Sequence, residues 1–303
     1  MSVINILRYP FVRFKLYWLN HLIVRCSPRY YVKKMYRQLF AKELDFDNPK
    51  TYNEWIQWAK FNSDTSRWAE LSDKYLVRGY IKECGLDDML VKLYGVWENP
   101  ESISWDSLPD SFILKTNNGS GTNLIVRDKS KLDIGEAKRT LKNWIQDVYG
   151  YRFAELHYLS IKPMIIAEEL LDCNKQVVKT NSLIDYKFFC ASGEPVCILA
   201  IWDRDKNSFK CAVYDISWKH LPNTIRYNSH YRKPDKLLPV PQTLDQMVAA
   251  TRILAAGFPE VRVDLYEVDN KPLFGEMTFT SAGGFMDYFT DEFCLELGNK
   301  IRV

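Results

Sequence analysis

The segment that decides the fold is FILKTNNGSGTNLIV, residues 112–126. The apolar residues 112–114, followed by Lys115, and the apolar residues 124–126 predict two short strands, and the polar, glycine-containing run between them predicts a turn. Backbone N–H groups in such a turn can face phosphate oxygens, and Lys115 supplies positive charge beside it. The segment is not a Walker A loop, because G-x-x-x-x-G-K-[ST] is absent and a strand follows Gly121. Taken alone it would be an ordinary hairpin turn.

A second informative pattern is RVD at 262–264 followed by GEMT at 275–278, on predicted strands 261–268 and 272–279. On paired strands Asp264 and Glu276 can project to the same face, and Arg262 shares it by the period of two. Two carboxylates with a neighbouring oxygen donor suit a magnesium ion that bridges two phosphates. The alternative is a solvated hairpin with surface salt bridges, but the surrounding residues are too apolar for a freely exposed face.

The remaining pattern predicts mixed helix and strand. Helices are expected over 71–84, ended by Gly85, over 134–148, and over 244–254, stopped by Gly257. Strands are expected at 164–167, 186–190 and 196–201, the last two flanking the turn signal ASGE at 191–194.

Composition excludes several classes of protein. The chain has 303 residues, of which 47% are hydrophobic, so it can bury one large core or two modest ones. A formal charge of +3 is too small to indicate nucleic acid as the main partner. The seven cysteines form no C-x-x-C pair and the four histidines show no metal-ligand spacing, so we expect a reduced cytoplasmic protein without a zinc site. No window approaches the roughly 18 consecutive apolar residues of a membrane-spanning helix.

The first 45 residues differ from the rest. Every charged residue before Glu43 is basic, and aromatic residues are interleaved among these cations. The pattern predicts an amphipathic helical arm over 1–45. Its aromatic stripe could pack on the rest of the protein, or the arm could make peripheral contact with an anionic membrane surface.

The motifs, in this order, resemble those of the ATP-grasp ligases: FILK with the loop NNGSG at 117–121, IIAEELL at 165–171, and RVD with the GE of 275–276. A finer resemblance is to the TupA-like branch, named for teichuronopeptide biosynthesis. Its segments are DKYLVR at 73–78, LPDSF at 108–112, DYKFFC at 185–190 and FGEMTF at 274–279. The resemblance covers about 45–300. It implies an α+β ATP-grasp fold in which two α/β subdomains clasp ATP, with a catalytic unit over 46–303 and a lid subdomain over about 106–168.

The resemblance also assigns roles to individual residues. Lys74 and Lys115 would hold the nucleotide phosphates. A mobile flap over the phosphates would consist of Asn118, Gly119, Ser120 and Gly121. The hinge that reads the adenine edge would consist of Glu168, Glu169 and Leu171. Asp185 would contact the ribose.

Catalytic and metal-binding roles follow from the same resemblance. Arg262 and Lys187 would act on the reacting groups, and Asp264, Glu276 and Thr278 would bind Mg²⁺. Many ATP-grasp enzymes have asparagine at the position of Thr278, whose hydroxyl is a weaker ligand. In the upstream segment YNEWIQW at 52–58, Trp55 stands where this branch has lysine.

The implied activity is that of a carboxylate–amine ligase. ATP would convert a carboxylate into an acyl phosphate, and an amine would attack it to form an amide. The substrates would be sugar-linked, such as a uronic acid, a sugar amine or an amino acid, in capsular or other cell-surface polysaccharide biosynthesis. The enzyme would work in the cytoplasm, at the inner face of the cell membrane if the arm binds lipid.

Two other functions compete with this reading. A glycosyltransferase of polysaccharide biosynthesis would require a metal-binding D-x-D, which Asp203-Arg204-Asp205 matches, although a charged surface turn explains that motif more simply. A non-catalytic adaptor would keep the fold without turnover, and the retained Asp264 and Glu276 argue against it.

Overall fold

A computed structural model describes residues 19–302 of the chain. Residues 19–26 are helical, and the further helices are α1 Pro28–Phe40, α2 Tyr52–Asn62, α3 Ser66–Ser72, α4 Val77–Glu83, α5 Ile134–Gln146, α6 Leu244–Ala255 and α7 Asp291–Gly298. The strands are β1 Leu93–Trp97, β2 Phe112–Thr116, β3 Asn123–Val126, β4 Ile165–Glu168, β5 Asp185–Ala191, β6 Glu194–Trp202, β7 Phe209–Tyr214, β8 Tyr231–Arg232, β9 Glu260–Val268 and β10 Lys271–Thr278.

The smaller sheet has four antiparallel strands in the order β1-β4-β2-β3. Its core side chains include Leu114, Ile165 and Ala167, which pack with Leu141 of α5. The segment 112–126 forms β2, a loop and β3, so the two predicted strands are confirmed. This sheet also contains β1, which precedes the boundary of about 106 predicted for the lid.

The larger sheet has six strands in the order β10-β9-β5-β6-β7-β8, and all neighbours are antiparallel except β7 and β8. One face packs on α3, α4 and α6 through residues such as Phe188, Val263 and Leu254. The opposite face packs on α2 and α7 through Phe189 and Leu297. Side chains that alternate along β5 and β9 place the predicted charged residues on this second face.

The prediction of one continuous helix over 71–84 is wrong. The structure has two helices there, α3 and α4, with a turn between them. The Asp73 carboxylate accepts the backbone N–H groups of Tyr75 at 2.8 Å and Leu76 at 3.1 Å. Local bonding of this kind by aspartate competes with helix continuation. The break places Lys74 in a turn, where its side chain can reach the smaller sheet.

The described part of the N-terminal arm packs on the rest of the protein. Tyr31, Val32 and Tyr36 of α1 are buried in a cluster that includes Phe285. The Tyr31 hydroxyl donates a hydrogen bond of 2.8 Å to the carbonyl of Arg152. The first 18 residues of the predicted arm lie outside the described part of the chain. Among residues 19–302, no helix combines the length and apolar character needed to cross a bilayer.

Candidate functional site

Arg262 lies between Asp264 and Glu276, the two carboxylates that were predicted to share a face. Its Nε and Nη2 lie 2.6 and 2.8 Å from the two carboxylate oxygens of Asp264, and Nη2 also lies 2.7 Å from Oε1 of Glu276. Thr278 accepts a hydrogen bond from Arg262 and donates one to Glu276, both 3.1 Å long. The four side chains therefore share one face of the β9–β10 hairpin.

An irregularity in the ladder sets this register. The pairing of β9 and β10 shifts between Phe274 and Glu276, after which Glu276 lies opposite Asp264 and Thr278 opposite Arg262. Gly275 occupies the shift, where a Cβ atom would lie 2.9 Å from the carbonyl oxygen of Asp264. Only glycine fits there without displacing the backbone, so the glycine serves the alignment of the two carboxylates.

Lys187 extends the charged cluster onto the neighbouring strand. It lies opposite Asp264 in the register of β5 and β9, contacts its carboxylate, and lies 2.8 Å from Asp185. Arg204 also approaches Asp185, at 2.6 Å. The other oxygen of Asp185, Oδ1, is buried and accepts no hydrogen bond from any described residue. A hydroxyl group of a ligand could donate to it.

The glycine loop has a fixed base. The Asn117 side chain donates to Asp73 at 2.7 Å and to the carbonyl of Lys162 at 3.0 Å, and it accepts the backbone N–H of Met164 at 2.6 Å. Asn118 donates to the carbonyl of Asp147 at 3.3 Å. These bonds hold the start of the loop against the body of the protein.

The tip of the loop meets a lysine from the α3–α4 turn. Lys74 donates from Nζ to the carbonyl of Gly119, and a Cβ atom on Gly119 would lie 2.9 Å from the Tyr149 ring. Ser120 and Gly121 are exposed, and Gly121 has a φ of +79°, which favours glycine. The tip can therefore move more easily than the base.

Within the smaller sheet, Lys115 forms an ion pair with Glu168. Lys115 lies 2.8 Å from Oε2 of Glu168, and Arg78 of α4 lies 3.1 Å from Oε1. Beyond β4, the N–H of Glu169 donates to the carbonyl of Lys92 at 2.9 Å. The Glu169 side chain is exposed and Leu171 is half-buried, so this segment borders the smaller sheet.

Lys74 interacts electrostatically with charged groups of both sheets. Burial lowers the pKa of Lys74, Glu276 and Asp73 raise it, and Lys115 lowers it further. Burial raises the pKa of Glu276, but the positive charges of Arg262, Lys187 and Lys74 outweigh this effect and lower it to about 2. Glu276 is therefore ionised at neutral pH, and lysines from both sides face the same region.

The donor set suits a magnesium ion that takes its other ligands from a substrate. Among residues 19–302, no group of three or more Asp, Glu, His or Cys side chains gathers as a metal cage. Magnesium is commonly bound by only one or two carboxylates together with phosphate oxygens. Glu276 is 34% exposed, and its Oε2 accepts no hydrogen bond from a described residue. Asp264 would share its oxygens with Arg262 and Lys187.

The D-x-D motif has a different environment. Asp203 lies 3.3 Å from Lys210, and Asp205 lies 3.0 Å from Arg232. Both carboxylates are thus paired with cations in the turn between β6 and β7, while Arg204 between them reaches Asp185.

Sequence reasoning assigned no role to three residues that organise this region, Asp73, Arg78 and Arg204, and it took Asn117 as part of the mobile loop, whereas Asn117 fixes the base of that loop. Each acts on a partner at least 19 positions away, which the sequence pattern does not reveal. The available signal was the segment DKYLVR, whose first, second and sixth residues all contact the smaller sheet or its loop.

Comparison with known proteins gave one family and several solved structures. The family model for TupA-like ATP-grasp proteins matches residues 54–302. No curated protein sequence matches the chain. Similar solved structures include the ATP-grasp ligase PsnB complexed with minimal precursor, at 14% identity over 82% of this chain and a TM-score of 0.41. D-alanine–D-alanine ligase from Bacillus anthracis has 15% identity over 69% of this chain and a TM-score of 0.38.

Phosphoribosylamine–glycine ligase from Thermotoga maritima has 13% identity over 72% of this chain and a TM-score of 0.42. The chain spans 66%, 56% and 52% of the lengths of these three solved chains, respectively.

Proposed function

The chain belongs to the TupA-like ATP-grasp family, and from this premise we propose that it is an ATP-dependent carboxylate–amine ligase. ATP would phosphorylate a carboxylate, and an amine would displace phosphate from the resulting acyl phosphate to form an amide. The observation that carries the proposal is the position of Arg262 between Asp264 and Glu276, in a region that Lys74 and Lys187 also face.

The cations have distinct tasks in this reaction. Lys74 and Lys115 would hold phosphate oxygens, since each is a flexible point charge that is only partly buried. Lys187 would neutralise charge on the transferred phosphoryl group. Arg262 would stabilise the oxyanion that develops as the amine attacks, because its fixed guanidinium already lies among the acidic groups.

Asp264 and Glu276 would hold Mg²⁺, with Thr278 beside them. When bound, the ion would neutralise charge on the nucleotide phosphates. Thr278 donates its hydroxyl hydrogen to Glu276 at 3.1 Å, so its role would be to orient that carboxylate.

The rest of the nucleotide would lie along the smaller sheet and β5. The hinge of Glu168, Glu169 and Leu171 would border adenine, and Asp185 would accept a ribose hydroxyl at its buried, unpartnered oxygen. The loop from Asn118 to Gly121 would close over the phosphates and exclude water, moving at its exposed tip.

We further propose that the acid and the amine are sugar-linked compounds of capsular or other cell-surface polysaccharide biosynthesis. This class of substrate is supported by membership of the family alone. The D-x-D motif gives no support to the glycosyltransferase alternative, because both of its carboxylates are paired with cations.

Peripheral contact with the inner face of the cell membrane is a separate part of the proposal. The exposed residues of 19–26 and α1 include the apolar Leu19 and Leu22 and the basic Arg25, Lys33 and Lys34. Positive and apolar groups together favour an anionic lipid surface.

The variant Glu276→Gln tests the ligase site. It keeps the shape of the side chain and removes the charge that a metal bridge requires, so ADP production should fall by at least about a hundredfold with the fold intact. Magnesium-dependent ADP release would be measured with a panel of uronic acids, sugar amines and amino acids. Glu292→Gln, the same change at an exposed position of α7, is the matched control and should retain activity. Near-wild-type ADP release by Glu276→Gln at saturating magnesium would contradict the proposal.

A further inference from the structure

Arg78 connects three parts of the chain and has no assigned role in the proposed reaction. It lies in α4, and its Nη1 is 3.1 Å from Oε1 of Glu168 at the end of β4. Its Nη2 donates a hydrogen bond of 2.7 Å to the carbonyl of Val91, just before β1. Its side chain is 15% exposed. The planar fork of a guanidinium can make both bonds at once, which a lysine cannot.

Glu168 therefore has two positive partners. Its side chain is 8% exposed, and Lys115 lies 2.8 Å from Oε2 on the side opposite Arg78. The two cations differ in freedom. Arg78 is tied to Val91 as well, whereas Lys115 is 23% exposed and stands at the start of the glycine loop.

A buried carboxylate that loses its only cation is strongly destabilising, because its charge is left uncompensated. If Lys115 were the single partner of Glu168, the carboxylate would be left unpaired whenever the Lys115 side chain turned toward a phosphate. With Arg78 in place, Glu168 keeps one cation whichever way Lys115 points. The presence of two cations thus makes the release of Lys115 less costly.

We propose that Arg78 is a positioning residue for nucleotide binding, which holds Glu168 so that Lys115 is free to bind phosphate. The inference rests on the proposed function, since it takes ATP as the ligand of Lys115. Arg78 itself makes no contact with the nucleotide. In a variant without Arg78, Lys115 is the only cation left beside Glu168, so it stays paired with Glu168 and binds phosphate less well.

The test is a double-mutant cycle on the dissociation constant of Mg-ATP, measured by calorimetry with the full chain. Arg78→Met should weaken binding by about tenfold in the wild-type background, in the range of coupling for residues that share a partner. In the Glu168→Gln background the same substitution should cost less than about threefold, because no buried charge remains to hold Lys115. Arg252→Met, at an exposed salt bridge with Glu194, is the matched control and should leave the constant unchanged.

Arg78→Lys separates the charge from the hydrogen bond to Val91. It should weaken ATP binding by less than about threefold, because a cation remains for Glu168. If Arg78→Met fails to fold by circular dichroism, Arg78→Gln, which also removes the charge, replaces it in the cycle. Equal losses in the two Glu168 backgrounds, or a loss for Arg78→Lys as large as that for Arg78→Met, would show a purely structural role and overturn the inference. A wild-type chain that binds no Mg-ATP would contradict the proposed function itself, a result distinct from either of these.

Discussion

At the scale of single residues, the carboxylates of the site are already paired with cations. Arg262 neutralises Asp264 and Glu276, Lys187 neutralises Asp185, and Glu168 has two cations. Binding of a charged ligand would therefore exchange partners, and no isolated buried charge would have to form. Sequence motifs predicted which residues carry charge here, but the partner of each residue depends on the sheet register.

His157 makes the free energy of unfolding depend on pH. Burial lowers the pKa of His157 to about 3, and the positive charge of Lys60 acts in the same direction. The ring packs 5.7 Å from Trp68 and 4.4 Å from Tyr158, and its Nε2 is buried without a hydrogen-bond partner among the described residues. Between pH 6.5 and 3, the unfolded chain binds a proton at this position that the folded chain does not, so stability falls as pH falls.

We predict that His157→Phe reduces this loss by up to about 1.4 kcal/mol per pH unit, the maximum for one proton. Urea unfolding of both proteins from pH 7 to pH 4 measures the effect. The carboxyl groups titrate in both, so the difference between the two curves isolates His157. Parallel curves over this range would show that the buried ring is not the cause.

At the scale of elements, the β9–β10 hairpin positions the carboxylates, and its bulge depends on Gly275. The sequence predicted two strands here, over 261–268 and 272–279, that can pair. It also predicted that Asp264 and Glu276 share a face, which the register confirms. The bulge itself was not predictable, since a glycine between apolar residues has several interpretations.

Gly275→Ala should destabilise the fold by about 1–3 kcal/mol, because its Cβ atom would overlap with backbone that cannot move without breaking the ladder. Equilibrium unfolding in urea measures the change. Gly79→Ala is the matched control, since a Cβ atom at Gly79 of α4 has no atom within 4 Å. If the Gly275→Ala protein were as stable as the control, the role assigned to Gly275 in the bulge would be wrong.

The break between α3 and α4 shows where local patterns fail. Apolar periodicity continues across 71–84, and nothing nearby in sequence indicates a stop before Gly85. The Asp73 carboxylate both ends α3 and binds Asn117, which lies 44 positions later. Local bonds and a contact with a distant residue therefore meet at Asp73, and together they set the position of Lys74.

At the scale of the whole molecule, the chain has two sheets, with Lys74 between their charges, and a basic arm whose described part packs on the body. The order of motifs in the sequence was sufficient to predict the family and the ATP-grasp fold. It could not decide how the arm packs, because aromatic residues suit both a protein core and a lipid surface.

The exposed cations Lys33 and Lys34 of α1 test the proposed membrane contact. Lys33→Glu with Lys34→Glu should lower sedimentation with phosphatidylglycerol vesicles at low salt by at least about tenfold, since each cation near an anionic surface contributes about 1 kcal/mol. Lys271→Glu with Lys300→Glu, both exposed elsewhere, is the matched control. Equal losses for the two pairs, or no binding by the full-length protein, would contradict the contact.

Hydroxylamine trapping tests the central claim most directly, because it identifies what receives the phosphoryl group. The full-length protein would be incubated with Mg-ATP, hydroxylamine and each member of the panel of uronic acids and amino acids, without an acceptor amine. The proposed ligase predicts a hydroxamate of one acid together with equal amounts of ADP and phosphate, since an acyl phosphate is electrophilic enough to be trapped. A phosphorylated sugar without hydroxamate would indicate a kinase. In a parallel incubation with UDP-sugars, release of UDP without use of ATP would contradict the ligase altogether.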